Sequence, residues 1–158
     1  MDTLVHRELS TVDDTRAFGR RLGALLRAGD LVVLVGPLGA GKTALAQGIG
    51  AGLGVAGDIT SPTFVISRIH RPDPARGGRV PLVHVDAYRL GGGLEVEDLD
   101  LDATVEDSAT VVEWGQGLVE QLADAHLEVR IDRRADETRI VTLVPHGADW
   151  VDRVATLG

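Results

Sequence analysis

The sequence contains no cysteine, only one lysine and few aromatic residues. Without cysteine, the chain has neither a disulfide framework nor a thiolate metal site. No apolar run approaches about 18 residues, so no segment is predicted to cross a membrane. The N-terminal residues show no basic stretch followed by an apolar one, which argues against a signal peptide. We therefore expect a cytoplasmic protein with no membrane partner.

The chain is also short of positive charge. Its 158 residues carry 24 acids and 16 bases, a formal net charge of −8. This balance argues against broad, non-specific binding of nucleic acid. A hydrophobic content of 44% excludes long disorder, and the length predicts a single domain over residues 1–158.

Apolar patterns predict an α/β fold. Helices are predicted at 11–27, 43–51, 118–125 and 149–157, and strands at 4–9, 31–35, 64–69, 80–85, 109–113, 127–131 and 139–144. Strands and helices interleave early and strands cluster late. This order predicts an α/β fold with a mixed, mainly parallel central sheet and an antiparallel edge.

A phosphate-binding loop follows the most apolar predicted strand. The pattern G-x-x-x-x-G-K-[ST] is matched at every position by Gly36-Pro37-Leu38-Gly39-Ala40-Gly41-Lys42-Thr43. Glycines allow backbone N–H groups to turn towards phosphate oxygens, and the next helix directs its positive N-terminus at the same charge. The lysine then contacts the β- and γ-phosphates, and the threonine hydroxyl ligates Mg²⁺. The predicted nucleotide-binding residues here are Gly36, Leu38, Gly39, Ala40, Gly41, Lys42, Thr43 and Ala44.

Two of the predicted apolar strands each lead into an acidic residue, which could bind the metal or orient the attacking water. Asp86 follows Val83-His84-Val85, and Glu113 follows Val111-Val112. In open α/β sheets, ligands bind beyond the carboxyl ends of the strands, where both acids are expected. Either carboxylate could bind Mg²⁺ directly or through water, or could orient the attacking water.

Two further segments are open to alternative interpretations. Thr60-Ser61-Pro62-Thr63-Phe64 is either a loop that senses the γ-phosphate or a turn at the entry to a strand. The basic stretch Arg68–Arg79 is either a contact for RNA phosphate or an acidic partner, or a solvated hairpin.

Taken together, four motifs resemble the bacterial TsaE family, also called YjeE. They are the phosphate loop, Ser61-Pro62-Thr63-Phe64, His84-Val85-Asp86-Ala87-Tyr88-Arg89-Leu90 and Glu113-Trp114-Gly115. The resemblance spans residues 36–115 and implies a three-layer fold of the P-loop NTPase type. It also implies that the protein is a small ATPase of tRNA threonylcarbamoyladenosine biosynthesis, with ATP or ADP and Mg²⁺ as ligands. It also implies TsaB and TsaD as partners, with tRNA involved indirectly.

The resemblance implies roles for individual residues. Lys42, Glu113 and Asp86 would be catalytic, and Thr43, Glu113 and Asp86 would hold Mg²⁺. Ser61 and Thr63 would belong to a first switch and Trp114 to a second, while the segment around Thr11 would form part of the adenine pocket. Glu113, with Asp86 second, is expected to position water. No stimulatory arginine is assigned, since Arg89 is either a candidate for that role or a solvated or structural arginine.

Two other functions remain as alternatives. A small-molecule kinase would share the loop and the size, although the predicted strand and helix ahead of the loop (residues 4–28) are unusual for one. A nucleotide-dependent binding module would share the loop without meaningful catalysis.

Overall fold

The computed structural model describes residues 5–36, 42–55, 67–86, 107–113, 125–134 and 138–157. The strands of this part of the chain are β1 (Val5–Leu9), β2 (Leu31–Val35), β3 (Ser67–His70), β4 (Leu82–Asp86), β5 (Ala109–Glu113), β6 (His126–Arg133) and β7 (Arg139–His146). The helices are α1 (Val12–Gly23), α2 (Lys42–Leu53) and α3 (Ala148–Ala155), with a short 3₁₀ turn at Pro74–Arg76. In these residues no helix is long and apolar enough to cross a membrane.

The seven strands form one mixed sheet in the order β1-β7-β6-β2-β5-β4-β3. The four central strands, β6, β2, β5 and β4, run parallel to one another. Towards one edge, β7 runs antiparallel to both β6 and the edge strand β1, and at the other edge β3 runs antiparallel to β4. The predicted fold class is confirmed, and so is the predicted hairpin, in which β6 pairs with β7 from His126↔His146 to Arg133↔Arg139.

Both faces of the central strands are buried, as a three-layer fold requires. Val32 and Leu34 of β2 join a core cluster with residues of α1, α2 and α3. Leu31 and Val33, which point to the other face, have no solvent exposure. Burial on both faces explains why β2 is a continuous apolar run instead of an alternating one.

The first helix is shorter than predicted. The apolar spacing of Leu25 and Leu26 extends the helical pattern to Arg27, but α1 ends at Gly23. Beyond it, the amides of Leu25 and Leu26 bond to carbonyls three residues back, as in a tight turn. The start is as predicted, since Thr11 caps the helix in a capping box with Asp14.

The second helix is longer than predicted, because its glycines pack closely against α1 instead of ending the helix. The helix is predicted to end at residue 51, but α2 continues to Leu53, and Gly54 follows it in the left-handed region, at φ +74°. A Cβ on Gly48 would lie 2.2 Å from the Arg16 carbonyl oxygen, and one on Gly52 would lie 2.2 Å from that of Arg20. The glycines therefore let α1 and α2 approach backbone to backbone.

The same contacts show that α1 and α2 run parallel. Arg16 lies against Gly48, and Arg20, one turn later, lies against Gly52. Arg16 also donates from Nε to the Gln47 Oε1 atom over 3.0 Å. The N-termini of both helices therefore lie at the same end of the molecule.

The predicted strands at 64–69 and 80–85 are found with shifted limits. β3 is described from Ser67, and residues 64–66 lie outside the described residues. β4 starts at Leu82 and includes Asp86. Most of the helix predicted at 118–125 also falls outside the described residues.

Candidate nucleotide-binding site

The strand that leads into the phosphate loop is fixed at its end by Gly36. A Cβ at this position would lie 2.3 Å from the carbonyl oxygen of Ile131 in β6. A residue larger than glycine would push the start of the loop away from the sheet. The first glycine of the motif thus has a packing role in addition to any contact with phosphate.

Lys42 connects the start of α2 with the end of β2. Its side chain is buried, at 6% exposure, and Nζ donates to the Gly36 carbonyl oxygen over 2.5 Å. The ammonium group therefore lies between the positive end of a 12-residue helix and the strand that precedes the loop. Thr43 and Ala44, both half-buried, follow in the first turn. This arrangement concentrates positive potential at one place, which suits a phosphate group.

The two predicted acids lie side by side in the sheet. Leu34 of β2 is opposite Glu113 of β5, and Glu113 is opposite Asp86 of β4. These three positions form one row across three neighbouring parallel strands, two residues before Gly36. The backbone positions of the two acids thus agree with the prediction that parallel strands bring them to one edge of the sheet.

Glu113 is held by a histidine of the neighbouring strand. His84 Nε2 and Glu113 Oε2 are 2.5 Å apart, and the side chains are 0% and 5% exposed, respectively. His84 lies in β4 opposite Val111, two residues before the row of the acids and on the same face. Its Nδ1 atom is buried and has no hydrogen-bond partner among the described residues.

Thr11 lies at the same end of the molecule as Lys42 and Thr43. The parallel register of α1 and α2 places the start of α1 beside the start of α2. The Thr11 hydroxyl accepts from the Asp14 amide over 3.0 Å, and the residue is exposed. Its observed role is helix capping, and its role in an adenine pocket stays a prediction.

The described residues bring together Gly36, Lys42, Thr43, Ala44, Asp86 and Glu113, with Thr11 at the same end. Leu38, Gly39, Ala40, Gly41, Ser61, Thr63, Arg89 and Trp114 lie outside the described residues. Within the described ranges, no group of three or more His, Cys, Asp or Glu side chains is arranged to hold a metal ion.

The basic stretch Arg68–Arg79 extends to the opposite end of the molecule. β3 runs antiparallel to β4, with Ser67 opposite Val85 and His70 opposite Leu82, so the residues after His70 lie beyond the start of β4. Arg76 donates to the Val55 carbonyl oxygen over 3.1 Å and faces Asp73 at 3.6 Å. Arg71 and Arg79 are exposed. A contact between RNA and these two arginines would therefore lie at the end of the molecule opposite to Lys42.

His84 had no assigned role in the sequence interpretation, although it was part of a motif. The available signal was its spacing from Asp86, because residues i and i+2 of a strand share a face. That spacing does not reveal which residue of another strand His84 meets. Its partner, Glu113, is 29 residues away in the chain.

Comparisons with known proteins agree with these motifs. The family model "Threonylcarbamoyl adenosine biosynthesis protein TsaE" matches residues 9–141. A tRNA threonylcarbamoyladenosine biosynthesis protein TsaE of Streptomyces coelicolor is 60% identical over 140 residues, which cover 85% of this chain and 93% of that protein. The protein of that name from Bacillus subtilis is 35% identical over 136 residues, covering 85% and 82%.

A solved structure has the same fold. The crystal structure of Bacillus subtilis YdiB matches with a TM-score of 0.80 and 27% sequence identity, covering 98% of this chain and 93% of that one. The structural similarity therefore extends over nearly all of both chains.

Proposed function

Because the chain belongs to the TsaE family of threonylcarbamoyl adenosine biosynthesis proteins, we propose that it is a Mg²⁺-dependent ATPase supporting tRNA threonylcarbamoyladenosine modification. The proposal covers residues 1–158 as a single ATPase domain. It is carried by one observation: Lys42, at the start of α2, contacts Gly36 at the end of β2, and β2 is the neighbour of the strand that ends at Glu113.

The proposed site fits a nucleotide with bound Mg²⁺. The side chains assigned to the metal, those of Thr43, Glu113 and Asp86, offer only oxygen atoms, and Mg²⁺ prefers oxygen ligands. The ammonium group of Lys42 and the N-terminus of α2 offer positive charge to the phosphates. When bound, the metal would neutralise charge developing on the β- and γ-phosphate oxygens.

The chain's own residues would bind and orient the reactants. Lys42 would release the Gly36 carbonyl and contact the β- and γ-phosphates, while amides of the loop would donate to the same oxygens. Glu113 would accept a hydrogen bond from the attacking water and hold it in line with the γ-phosphate, with Asp86 beside it as the second acid. Placing these groups in advance is the main source of rate in phosphoryl transfer.

The cellular role is proposed from the family. ATP hydrolysis by this protein would support or reset a complex of TsaB and TsaD, and tRNA would be involved through that complex. A direct contact would use the arginines at 68–79. Because the substrate of the modification is tRNA, the proposed location is the cytoplasm.

The test is ATP hydrolysis by the purified protein, alone and with TsaB and TsaD from the same organism. We expect the partners to stimulate turnover, and we expect Lys42→Ala to abolish the stimulated rate. A further variant, Glu113→Gln, replaces the carboxylate proposed to hold the attacking water, and Glu128→Gln is its matched control. Glu128 is another buried glutamate of the sheet, but it lies opposite Val33 and points to the other face, where it pairs with Arg130 at 2.8 Å.

Two results would contradict the proposal. Turnover that requires a small-molecule acceptor instead of the partners would indicate a kinase. Tight nucleotide binding without turnover in any mixture would indicate a binding module, and the roles assigned to Glu113 and Asp86 would then be wrong.

A further inference from the structure

The proposed function gives a role to Glu113 but none to His84, its buried partner. His84 belongs to β4 and Glu113 to the end of β5, and their side chains meet on one face of the sheet. The Nε2–Oε2 distance is 2.5 Å, and neither side chain is more than 5% exposed. Water therefore has little access to replace either partner.

The chemistry of the two groups fixes the direction of the hydrogen bond. An ionised carboxylate can only accept hydrogen bonds, so Nε2 must carry the proton. The other ring nitrogen, Nδ1, is buried without a hydrogen-bond partner among the described residues. The Nε2–H tautomer leaves only a lone pair there, which costs less than an unsatisfied buried N–H.

A carboxylate at the end of a glutamate side chain has several rotamers, and a buried one needs a partner to remain charged. His84 supplies that partner at one oxygen, Oε2. A single fixed oxygen limits the rotamers of Glu113, and the second oxygen remains for another ligand. In many metal sites, a residue that does not touch the metal orients the ligand that does, by a hydrogen bond of this kind.

We propose that His84 is a positioning residue of the ATPase site, which holds the Glu113 carboxylate in the orientation needed to bind the attacking water or Mg²⁺. The inference rests on the proposed function, because it assumes that Glu113 acts on one of these two. His84 itself contacts neither the nucleotide nor the metal in this assignment.

The choice of variants follows from bond counts. The amide nitrogen of glutamine is four bonds from Cα, as Nε2 of histidine is, whereas that of asparagine is only three bonds away. His84→Gln should therefore retain a donor for Glu113, and His84→Asn should not. His84→Phe keeps a ring of similar volume without a donor. His126→Phe is the matched control, because His126 is a buried histidine of the same sheet at the opposite end of a parallel strand.

The first readout is the single-turnover rate of ATP hydrolysis together with the affinity for ATP. We expect His84→Phe and His84→Asn to lower the rate about 10- to 100-fold, the usual range for the loss of such a partner. Nucleotide affinity should change much less. His84→Gln should recover most of the rate, and His126→Phe should leave it unchanged.

The second readout uses the nucleotide-free protein and does not depend on activity. The ¹⁵N chemical shifts of the His84 ring should show a protonated Nε2 and an unprotonated Nδ1. In Glu113→Gln these shifts should move, because the carboxylate acceptor has been replaced. In Glu128→Gln they should stay in place.

The outcomes separate this inference from the proposed function. If Glu113→Gln abolishes hydrolysis while His84→Phe is folded and as fast as the unmodified protein, positioning by His84 is wrong and the proposed function stands. A His84→Phe variant that hydrolyses ATP faster would also refute the positioning role, because it would show that the contact with His84 keeps Glu113 from acting. If Glu113→Gln has no effect on hydrolysis, the proposed role of Glu113 itself fails. If His84→Phe does not fold, the comparison of His84→Gln with His84→Asn decides, and equal rates would refute the inference.

Discussion

Arg153 binds Asp30 through a two-point ion pair that ties the last helix to the start of the central strand. Arg153 NH1 lies 2.6 Å from Asp30 Oδ2, and NH2 lies 2.9 Å from Oδ1. The two side chains are 9% and 10% exposed. Hydrogen bonding to the Asp30 carboxylate raises the pKa of Arg153 above its ordinary value. The guanidinium therefore remains charged across neutral pH, where its stabilising contribution is constant.

Loss of either partner of this pair should strongly destabilise the fold. Arg153→Ala leaves the Asp30 carboxylate in a buried position without its cation, and we expect a loss of about 3–5 kcal/mol in the free energy of unfolding. Urea denaturation would measure it. The matched control is Arg27→Ala, since Arg27 faces Asp149 across 3.9 Å at the surface and should contribute less than about 1 kcal/mol. Equal losses of unfolding free energy in the two variants would show that the buried pair stabilises the fold no more than the surface pair does.

Replacing Gly48 by alanine should separate the two helices that meet behind the phosphate loop. The new Cβ would clash with the Arg16 carbonyl oxygen and Gly19 Cα, at 2.2 and 2.9 Å. We expect a loss of about 1–3 kcal/mol in unfolding free energy, the usual cost of overpacking. Alanine is intrinsically the better helix former, so the sign of the effect identifies the clash.

The control for Gly48→Ala is Ala51→Gly, at an exposed position of the same helix. This change should cost about 1 kcal/mol through helix propensity alone. A Gly48→Ala variant that is more stable than the unmodified protein would contradict the close contact between α1 and α2.

Some variants of the site should lose nucleotide affinity, and others should lose hydrolysis with most of the affinity retained. Lys42→Ala removes the ammonium group at the start of α2, so we expect weaker binding of ATP and ADP by isothermal titration calorimetry. Glu113→Ala and Asp86→Ala should retain most of the affinity and mainly slow hydrolysis. If all three variants hydrolyse ATP at the unmodified rate, the assigned site is wrong.

Thr11 should contribute to stability and to nucleotide affinity at once. Thr11→Ala removes the side-chain acceptor for the Asp14 amide and should cost about 1 kcal/mol in unfolding free energy. If the residue also lines the adenine pocket, ADP should bind several-fold more weakly. Thr11→Ser retains the hydroxyl and should restore both properties. A Thr11→Ala variant with reduced stability and unchanged affinity would leave only the capping role.

The elements that were predicted correctly depend on local sequence signals. The apolar run of β2 follows from burial on two faces. The alternation in β7 and in the second half of β6 follows from burial on one face. The limits of α1 and α2 were wrong where tertiary packing decides them. Leu25 keeps its helical spacing within a tight turn, and Gly52 lies inside a helix because Arg20 packs against it.

The predicted site could be located from its motif, but its internal contacts could not. Lys42 and Thr43 follow from the phosphate loop, and the placement of Asp86 and Glu113 follows from the geometry of parallel strands. The bond between His84 and Glu113 depends on which strands are neighbours and on their register. Both are set by long-range packing, which a single sequence does not encode in any local pattern.

Helix α2 joins the proposed phosphate site to the arginine-bearing turn at the far end of the molecule. After its last residue, the Gly54 carbonyl accepts from the Asp73 amide over 2.8 Å, and the Val55 carbonyl accepts from Arg76. A helix of 12 residues is about 18 Å long and stiff along its axis. A continuous series of helical and loop hydrogen bonds therefore joins Lys42 to the turn that carries Arg76, about one helix length away.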